Sequence, residues 1–523
     1  MADGRGLGRG PRGLLREPRD PSSGGDSKAA TATSAAPTPT WAPVTGPPHA
    51  IPAVRAFHPG QGRGWRPTKT ARIVVPAGEQ SPLADEARLL ARDLGGLRTI
   101  WSAPGRETVR PGDIELRQAD GPDPEAYTLT ARDTRLTLTA PTDAGIFYGT
   151  RTVLQSVRAS GGVPEGTVED RPDRPQRGLS LDIARKHFPA QWIEDRIREL
   201  ADLKFNQLQL HFSDDQGFRI ESERHPEVVS PDHLTKAQVR HLVELARGLH
   251  VTVIPEIDSP GHLGAVLKAH PHLRLTGSDG GTVRGAIDIS RPEAAGLVDD
   301  LLREYAPLFP GAHWHLGGDE YAALTTRSPE ASYPGLAQAA REKYGPSATV
   351  RDLATGWLND RDHTLRAAGA RTTEAWNDGY FPGGTIAPEP KRTVAYWTGK
   401  EIGAREPADY LDEGRRVVNL NDEYLYYVLG EPNEFRYPTG ERIYKEWTPA
   451  VLRGTRPLPA SRTGPDRVLG ARFAVWCDFS GAQTPDQIAH GIRMPLRALS
   501  QKVWNPDRPP LSWKDFKALA DRL

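Results

Sequence analysis

The sequence predicts an α/β protein, a (β/α)8 TIM barrel preceded by a small α+β domain. Three observations predict it. From residue 178 onward, short apolar strands alternate with amphipathic helices, the signature of a parallel sheet. Eight strand candidates fill roughly 330 residues, which suits one closed barrel and is too many for a small open sheet. Each strand ends in a polar or aromatic residue, as expected where a common pocket forms at the C-terminal rim. The 523 residues also exceed the length at which single cores stop growing, so a second, smaller domain is expected.

In chain order, residues 1–60 read as a tail or linker, because the Gly, Pro, Ala, Ser and Thr that dominate its first 50 positions bury too little apolar surface to order themselves. Its basic start is not followed by the apolar core of a signal peptide. Residues 61–173 read as the small domain. Strands are expected over 72–76, 113–117, 127–132 and 136–139, with helices over 82–94 and 142–159 that stop at Gly95-Gly96 and Gly161-Gly162. The Pro-rich, charged run Glu169-Asp-Arg-Pro-Asp-Arg-Pro marks the boundary.

Residues 174–523 read as the barrel. Its first strand spans 178–183, and the second, 207–212, ends in Ser213-Asp214-Asp215-Gln216. The third, 251–255, runs into Glu256-Ile-Asp258-Ser-Pro-Gly-His262, and the fourth, 313–316, meets Gly317-Gly318. Glycine lets the backbone bend there, which delivers Asp319 and Glu320 to the rim. The remaining strands, 371–374, 393–396, 416–420 and 471–475, lead to Trp376, Trp397, Asn421 and Trp476. Helices are expected over 192–203, 235–249 and 292–309.

Composition narrows the partner. Lys+Arg and Asp+Glu number 67 each, so no global positive field exists to hold a nucleic acid or an anionic membrane. No run approaches the ~18 apolar residues of a membrane span. The single cysteine, Cys477, excludes an intrachain disulfide and a thiolate metal cluster.

The strand ends collect Arg185, Asp214, Asp258, His262, Asp319, Glu320, Trp376, Trp397, Tyr424, Trp476 and Asp478. Carboxylates and an arginine grip hydroxyls while indole faces pack on sugar rings, so the set suits a neutral polyhydroxylated ligand. Two chemistries compete. His313 and His315 alternate on one strand and would share a metal ion, although they lie before the Gly-Gly bend, where inward residues fill the barrel. Glycoside hydrolysis would use Glu320 as the acid. Its immediate neighbour Asp319 can hardly bracket the same bond from the opposite face, which points to substrate assistance by a 2-acetamido group.

The motifs Leu181-Asp-Ile-Ala-Arg185, His211-Phe-Ser-Asp214, Asp258-Ser-Pro-Gly-His262, His315-Leu-Gly-Gly-Asp319-Glu320, Trp376-Asn-Asp-Gly, Tyr396-Trp397, Asn421-Asp-Glu-Tyr424-Leu-Tyr and Val475-Trp476-Cys-Asp478 resemble those of glycoside hydrolase family 20, the β-N-acetylhexosaminidases. The likeness covers about residues 70–505. It implies an exo-acting retaining enzyme without cofactor or metal, acting on an oligosaccharide or glycoconjugate and secreted. By resemblance, Glu320 is general acid and base, Asp319 orients the acetamido group, and Tyr424 donates to its oxygen. Arg185 holds ring hydroxyls, Trp376, Trp397 and Trp476 wall the pocket, and Asp214, Asp258 and His262 tune the two carboxylates. Tyr426 and Asp478 stand where many members carry Asp and Glu, so Asp478 binds a remote hydroxyl or a second sugar. The Tyr-Leu-Tyr pattern resembles the branch holding dispersin B and the lacto-N-biosidases, whose release of a disaccharide is the alternative activity. A silent sugar-binding module is a further alternative, opposed by the joint presence of Asp319, Glu320 and Tyr424.

Overall fold

The computed structural model describes residues 41–523 apart from 77, 102–108, 312 and 507–508, and residues 42–523 form one compact unit. The small domain comes first. Among the described residues its sheet has seven strands: β1 (Ala56–Pro59), β2 (Arg72–Val75), β3 (Arg98–Trp101), β4 (Ile114–Gln118), β5 (Tyr127–Arg132), β6 (Arg135–Ala140) and β7 (Gly166–Asp170), in the order β1-β7-β5-β6-β4-β2-β3. The helices Ala84–Asp93 and Asp143–Ser160 pack on it. The second helix starts where Thr142 accepts a hydrogen bond from the Gly145 N–H and stops at Gly161, whose φ of 72° suits a residue without Cβ.

Strand β1 corrects the expected start of this domain. It pairs antiparallel with β7, Ala56 opposite Glu169, so the sheet begins before residue 61. Its sequence, Ala-Phe-His-Pro, gave no sign because only one flank of an edge strand is paired and its outer residues are exposed. The part of the expected tail at 1–40 lies outside the described residues.

The barrel strands follow: β8 (Gln176–Asp182), β9 (Gln207–His211), β10 (Thr252–Glu256), a two-stranded excursion β11 (Arg274–Thr276) and β12 (Thr282–Ile287), then β13 (His313–His315), β14 (Thr372–Trp376), β15 (Thr393–Tyr396), β16 (Val417–Asn419), β17 (Tyr426–Val428) and β18 (Val468–Trp476). Eight of them, β8, β9, β10, β13, β14, β15, β16 and β18, pair in parallel. The ring closes because β18 pairs with both β8 and β16. All eight coincide with expected strands. The extra strand β17 runs parallel to the C-terminal half of β18, Tyr426 opposite Ala474 and Val428 opposite Trp476. It extends the rim where the pocket lies.

The helices that cover the barrel carry strong start signals. Lys236–Arg247 and Pro485–Trp504 each begin with a threonine and a glutamine three residues on that satisfy each other's backbone N–H groups. No helix among the described residues is long and apolar enough to cross a membrane. The small domain meets the barrel at the N-terminal ends of β8 and β9. There Arg177 is bonded to Glu125 (2.7 Å), and the fully buried Lys204 sits among Tyr127, Thr152 and Asp170. That contact is on the end opposite the strand C-termini, so the small domain braces the barrel.

The barrel interior is charged as well as apolar. Arg472 on β18 reaches across the ring to Gln207 and Gln209 on β9 and forms a bidentate pair with Glu374 on β14. His313 Nε2 lies 3.0 Å from Glu374, and Glu256 accepts from Gln209 and from the Trp376 indole. All of these except His313 are within a few per cent of complete burial, so each charge relies on its partners.

Candidate active site

The site is built on the bend that follows β13. Gly317 and Gly318 have φ of 70° and 95°, in the left-handed region. A Cβ on Gly317 would lie 1.6 Å from Asp258 Oδ1, so the backbone passes that carboxyl closer than any other residue allows. The Gly318 N–H donates to the same oxygen (2.9 Å). Asp319 is thereby set against Asp258. Burial, and then the charge of Asp319, push the Asp258 carboxyl well above its ordinary range. Burial also disfavours charge on Asp319, but the imidazole of His262 and a hydrogen bond from Asp258 hold it below the usual carboxylate range. Of the two, Asp258 is the one whose surroundings favour the proton and Asp319 the one whose surroundings favour the charge.

Glu320 has φ 47°, strained for a residue with a side chain, and its N–H donates to Asp378 Oδ2 (2.8 Å). Asp378 also accepts from the Trp397 indole (3.0 Å), so one carboxyl fixes both the Glu320 backbone and an aromatic wall. The Glu320 side chain is 46% exposed, so its carboxyl is open to solvent at the pocket.

His262 connects the parts. Its Nδ1 lies 3.3 Å from Asp214 Oδ2, and its Nε2 lies 3.4 Å from Asp319 Oδ2 and 3.3 Å from Glu320 Oε2. Burial lowers the basicity of this ring, yet Asp214 and Asp319 raise it well above the ordinary histidine value, making it an imidazolium. The same Asp214 oxygen lies 2.9 Å from Arg185 Nη2 and from His211 Nε2, and His211 Nδ1 lies 3.0 Å from Glu256. Arg185 also bonds Asp182 (3.0 Å) and lies over the Trp476 ring. Charges thus alternate in sign from Glu256 out to the rim.

Opposite these groups the pocket is aromatic. It is lined by Trp397, Tyr426, Phe435 and Trp476, with Arg185, His262, Asp319, Glu320 and Asp478 around them. Tyr426 stacks on Trp397 at 5.7 Å and 6° and on Phe435 at 6.2 Å and 20°. Trp376 forms a layer behind the wall, 5.8 Å from Trp476. The exposed Asp478 and Phe479 stand at the far rim.

Two expectations need correction. Tyr424 does not line this pocket: its ring lies under Arg442 and its hydroxyl faces Glu446. Tyr426 occupies the place expected of it. Residues two apart share a face only within a strand, and β17 begins at Tyr426, while Tyr424 belongs to the preceding turn closed on Asn421. His313 and His315 face the barrel interior, where His313 meets Glu374 and His315 Nδ1 accepts from the Gly317 N–H (3.0 Å). Asp378, His211 and Glu256 carried no assigned role, although the first sits in Trp376-Asn-Asp-Gly and the second opens His211-Phe-Ser-Asp214.

Residues 175–507 match the catalytic domain of glycosyl hydrolase family 20, and residues 48–171 match domain 2 of that family. The chain belongs to glycosyl hydrolase family 20. Among family 20 relatives, a lacto-N-biosidase of Bifidobacterium bifidum is 28% identical over 508 residues, covering 96% of this chain and 43% of that protein. The chain thus spans less than half the length of that relative. A β-N-acetylhexosaminidase of Cellulomonas fimi is 31% identical over 459 residues, covering 79% of this chain and 83% of the other. The solved structure of the family 20 β-N-acetylhexosaminidase from Streptomyces coelicolor A3(2) superposes with a TM-score of 0.71 at 25% identity, covering 91% of this chain and 95% of that one. The family 20 match also begins well before residue 61, in agreement with β1.

Proposed function

We propose that this family 20 protein is an exo-acting, retaining glycoside hydrolase that releases terminal β-linked N-acetylhexosamine through its substrate's own acetamido group. The observation that carries the reading is that Asp319 and Glu320 both approach one nitrogen of His262, on one side of the pocket. Carboxylates so placed do not flank a bond from opposite faces, so the nucleophile comes from the sugar. The acetamido oxygen attacks the anomeric carbon, while ionised Asp319 accepts from the acetamido N–H and the Tyr426 hydroxyl donates to the oxygen. Glu320 gives its proton to the departing oxygen, then takes one from the water that opens the oxazolinium. The two inversions retain configuration. Arg185 and Asp478 hold the far hydroxyls, and Trp397 and Trp476 pack on the ring and the acetamido methyl.

The test is inhibition. A thiazoline analogue of N-acetylglucosamine, which mimics the bicyclic intermediate, is expected to bind ~10²-fold or more tighter than an aryl N-acetyl-β-glucosaminide substrate. Binding no tighter than substrate would remove substrate assistance. A second reading, release of the disaccharide lacto-N-biose, is supported by the exposed Asp478 and Phe479 at the far rim, toward which a second sugar would extend. In the same assay an aryl β-lacto-N-bioside decides it, since a buried hydroxyl contact discriminates by up to ~10⁴-fold. Cleavage of the bioside with an inert glucosaminide selects the biosidase.

The position of Tyr426 gives a further expectation. Tyr426→Phe removes a donor to developing charge and is expected to lower kcat/KM by ~10²-fold, whereas Tyr424→Phe stays near wild type. The opposite order would return the donor role to Tyr424.

A further inference from the structure

The sequence contains three His-Pro dipeptides, and two of them, His225-Pro226 and His270-Pro271, lie in loops that follow β9 and β10. Each histidine precedes a short 3₁₀ turn, Pro226–Val228 or Pro271–Leu273, and the two have nearly the same backbone conformation: φ −131°, ψ 60° and φ −120°, ψ 59°. Proline bars the preceding residue from the helical region, so both imidazoles are presented by stiff backbone. They converge on one atom. His225 Nδ1 lies 3.1 Å and His270 Nε2 lies 2.9 Å from Glu227 Oε1. The three donor atoms fall within 4.8 Å of one another.

We propose that His225, Glu227 and His270 bind a borderline divalent cation of the Zn2+ class, which clips the loop after β9 to the helix Gly264–Ala269. Two imidazoles and a carboxylate are a donor set that such ions take with water as the fourth ligand, and the observed separations are close to the ~3.3 Å edge of a tetrahedral site. The surroundings complete the pattern. His225 Nε2 is buried, has no hydrogen-bond partner among the described residues and lies 3.8 Å from Asp300 Oδ2. A ligating histidine commonly gives its second N–H to a carboxylate in this way, and Arg224 holds Asp300 in place (3.2 Å). The clipped helix begins two residues after His262, so the ion would steady the segment that delivers this ring to the pocket without touching the carboxylates.

The experiment is a calorimetric titration of the full chain with ZnCl2 at pH 7.5, after dialysis against a chelator, with melting temperature as a second readout. One equivalent is expected to bind saturably and to raise Tm. H225A/H270A is expected to lose both effects while its metal-free Tm and its rate on an aryl glycoside stay near wild type. Asp300→Asn, which touches no ion directly, is expected to weaken binding ~10–100-fold. The chain has 15 histidines, so adventitious binding is the rival account. Saturation absent from the wild type, or equally tight binding by H225A/H270A, overturns the site. If the double variant does not fold, His270→Gln alone decides by the same criterion.

Discussion

Glu320→Gln is expected to lower kcat/KM by ~10²–10⁴ on a β-glycoside whose leaving group needs a proton, and by far less on an aryl glycoside whose phenolate leaves unaided. The difference follows from the proposed mechanism, in which the only chemical duty of Glu320 in the first step is proton donation. Asp319→Asn is expected to lose comparably on both substrates. Its lesion is electrostatic: the amide no longer carries the charge that Asp258 and His262 are arranged around, and it leaves the imidazolium with one carboxylate fewer. Steady-state kinetics of both variants on the two substrates gives four numbers. Equal losses for Glu320→Gln on both would remove it from the acid role.

Gly317→Ala is the second variant with a large expected effect, although it adds a single methyl group and touches no substrate. The new Cβ would lie 1.6 Å from Asp258 Oδ1 at a φ of 70°, so either Asp258 leaves its place or the bend opens. Both outcomes shift Asp319, and misplacement by about 1 Å costs ~10²-fold in rate. Strain from the left-handed backbone alone is of order 1–3 kcal/mol, so Tm falls as well. Gly296→Ala is the matched control. It lies within the helix Pro292–Tyr305 with nothing within 4 Å of an added Cβ, and is expected to raise stability by ~0.5–1 kcal/mol with no change in rate. A Gly317→Ala enzyme with wild-type kinetics would contradict the account of the bend.

The eight barrel strands were legible because they alternate with amphipathic helices and each leads to a polar or aromatic residue at its C-terminal end. The rim residues were legible for the same reason: a strand end locates its own last side chain. What escaped notice is short or non-local. Strands β1 and β17 have four and three residues, too few to show a period, and β17 decided which tyrosine faces the pocket. Asp378 acts through the N–H of a residue 58 positions away. Arg472 finds Gln207 and Glu374 at separations of 265 and 98 residues, distances at which spacing carries no signal.

Those long separations have a bearing on how the ring is assembled. β18 is the last barrel strand to be made, and it must insert between β8 and β16. A slip of one residue during that insertion would turn Arg472 outward and leave Glu374 and the two glutamines without their partner in a dry interior. An uncompensated buried charge costs roughly 3–5 kcal/mol, a large share of a domain's net stability. Val or Leu in these positions would accept the neighbouring register almost as readily as the right one. A ring closed one residue out of register would thus lack the Arg472–Glu374 pair that lies inside the barrel beneath the rim carrying Asp319 and Glu320.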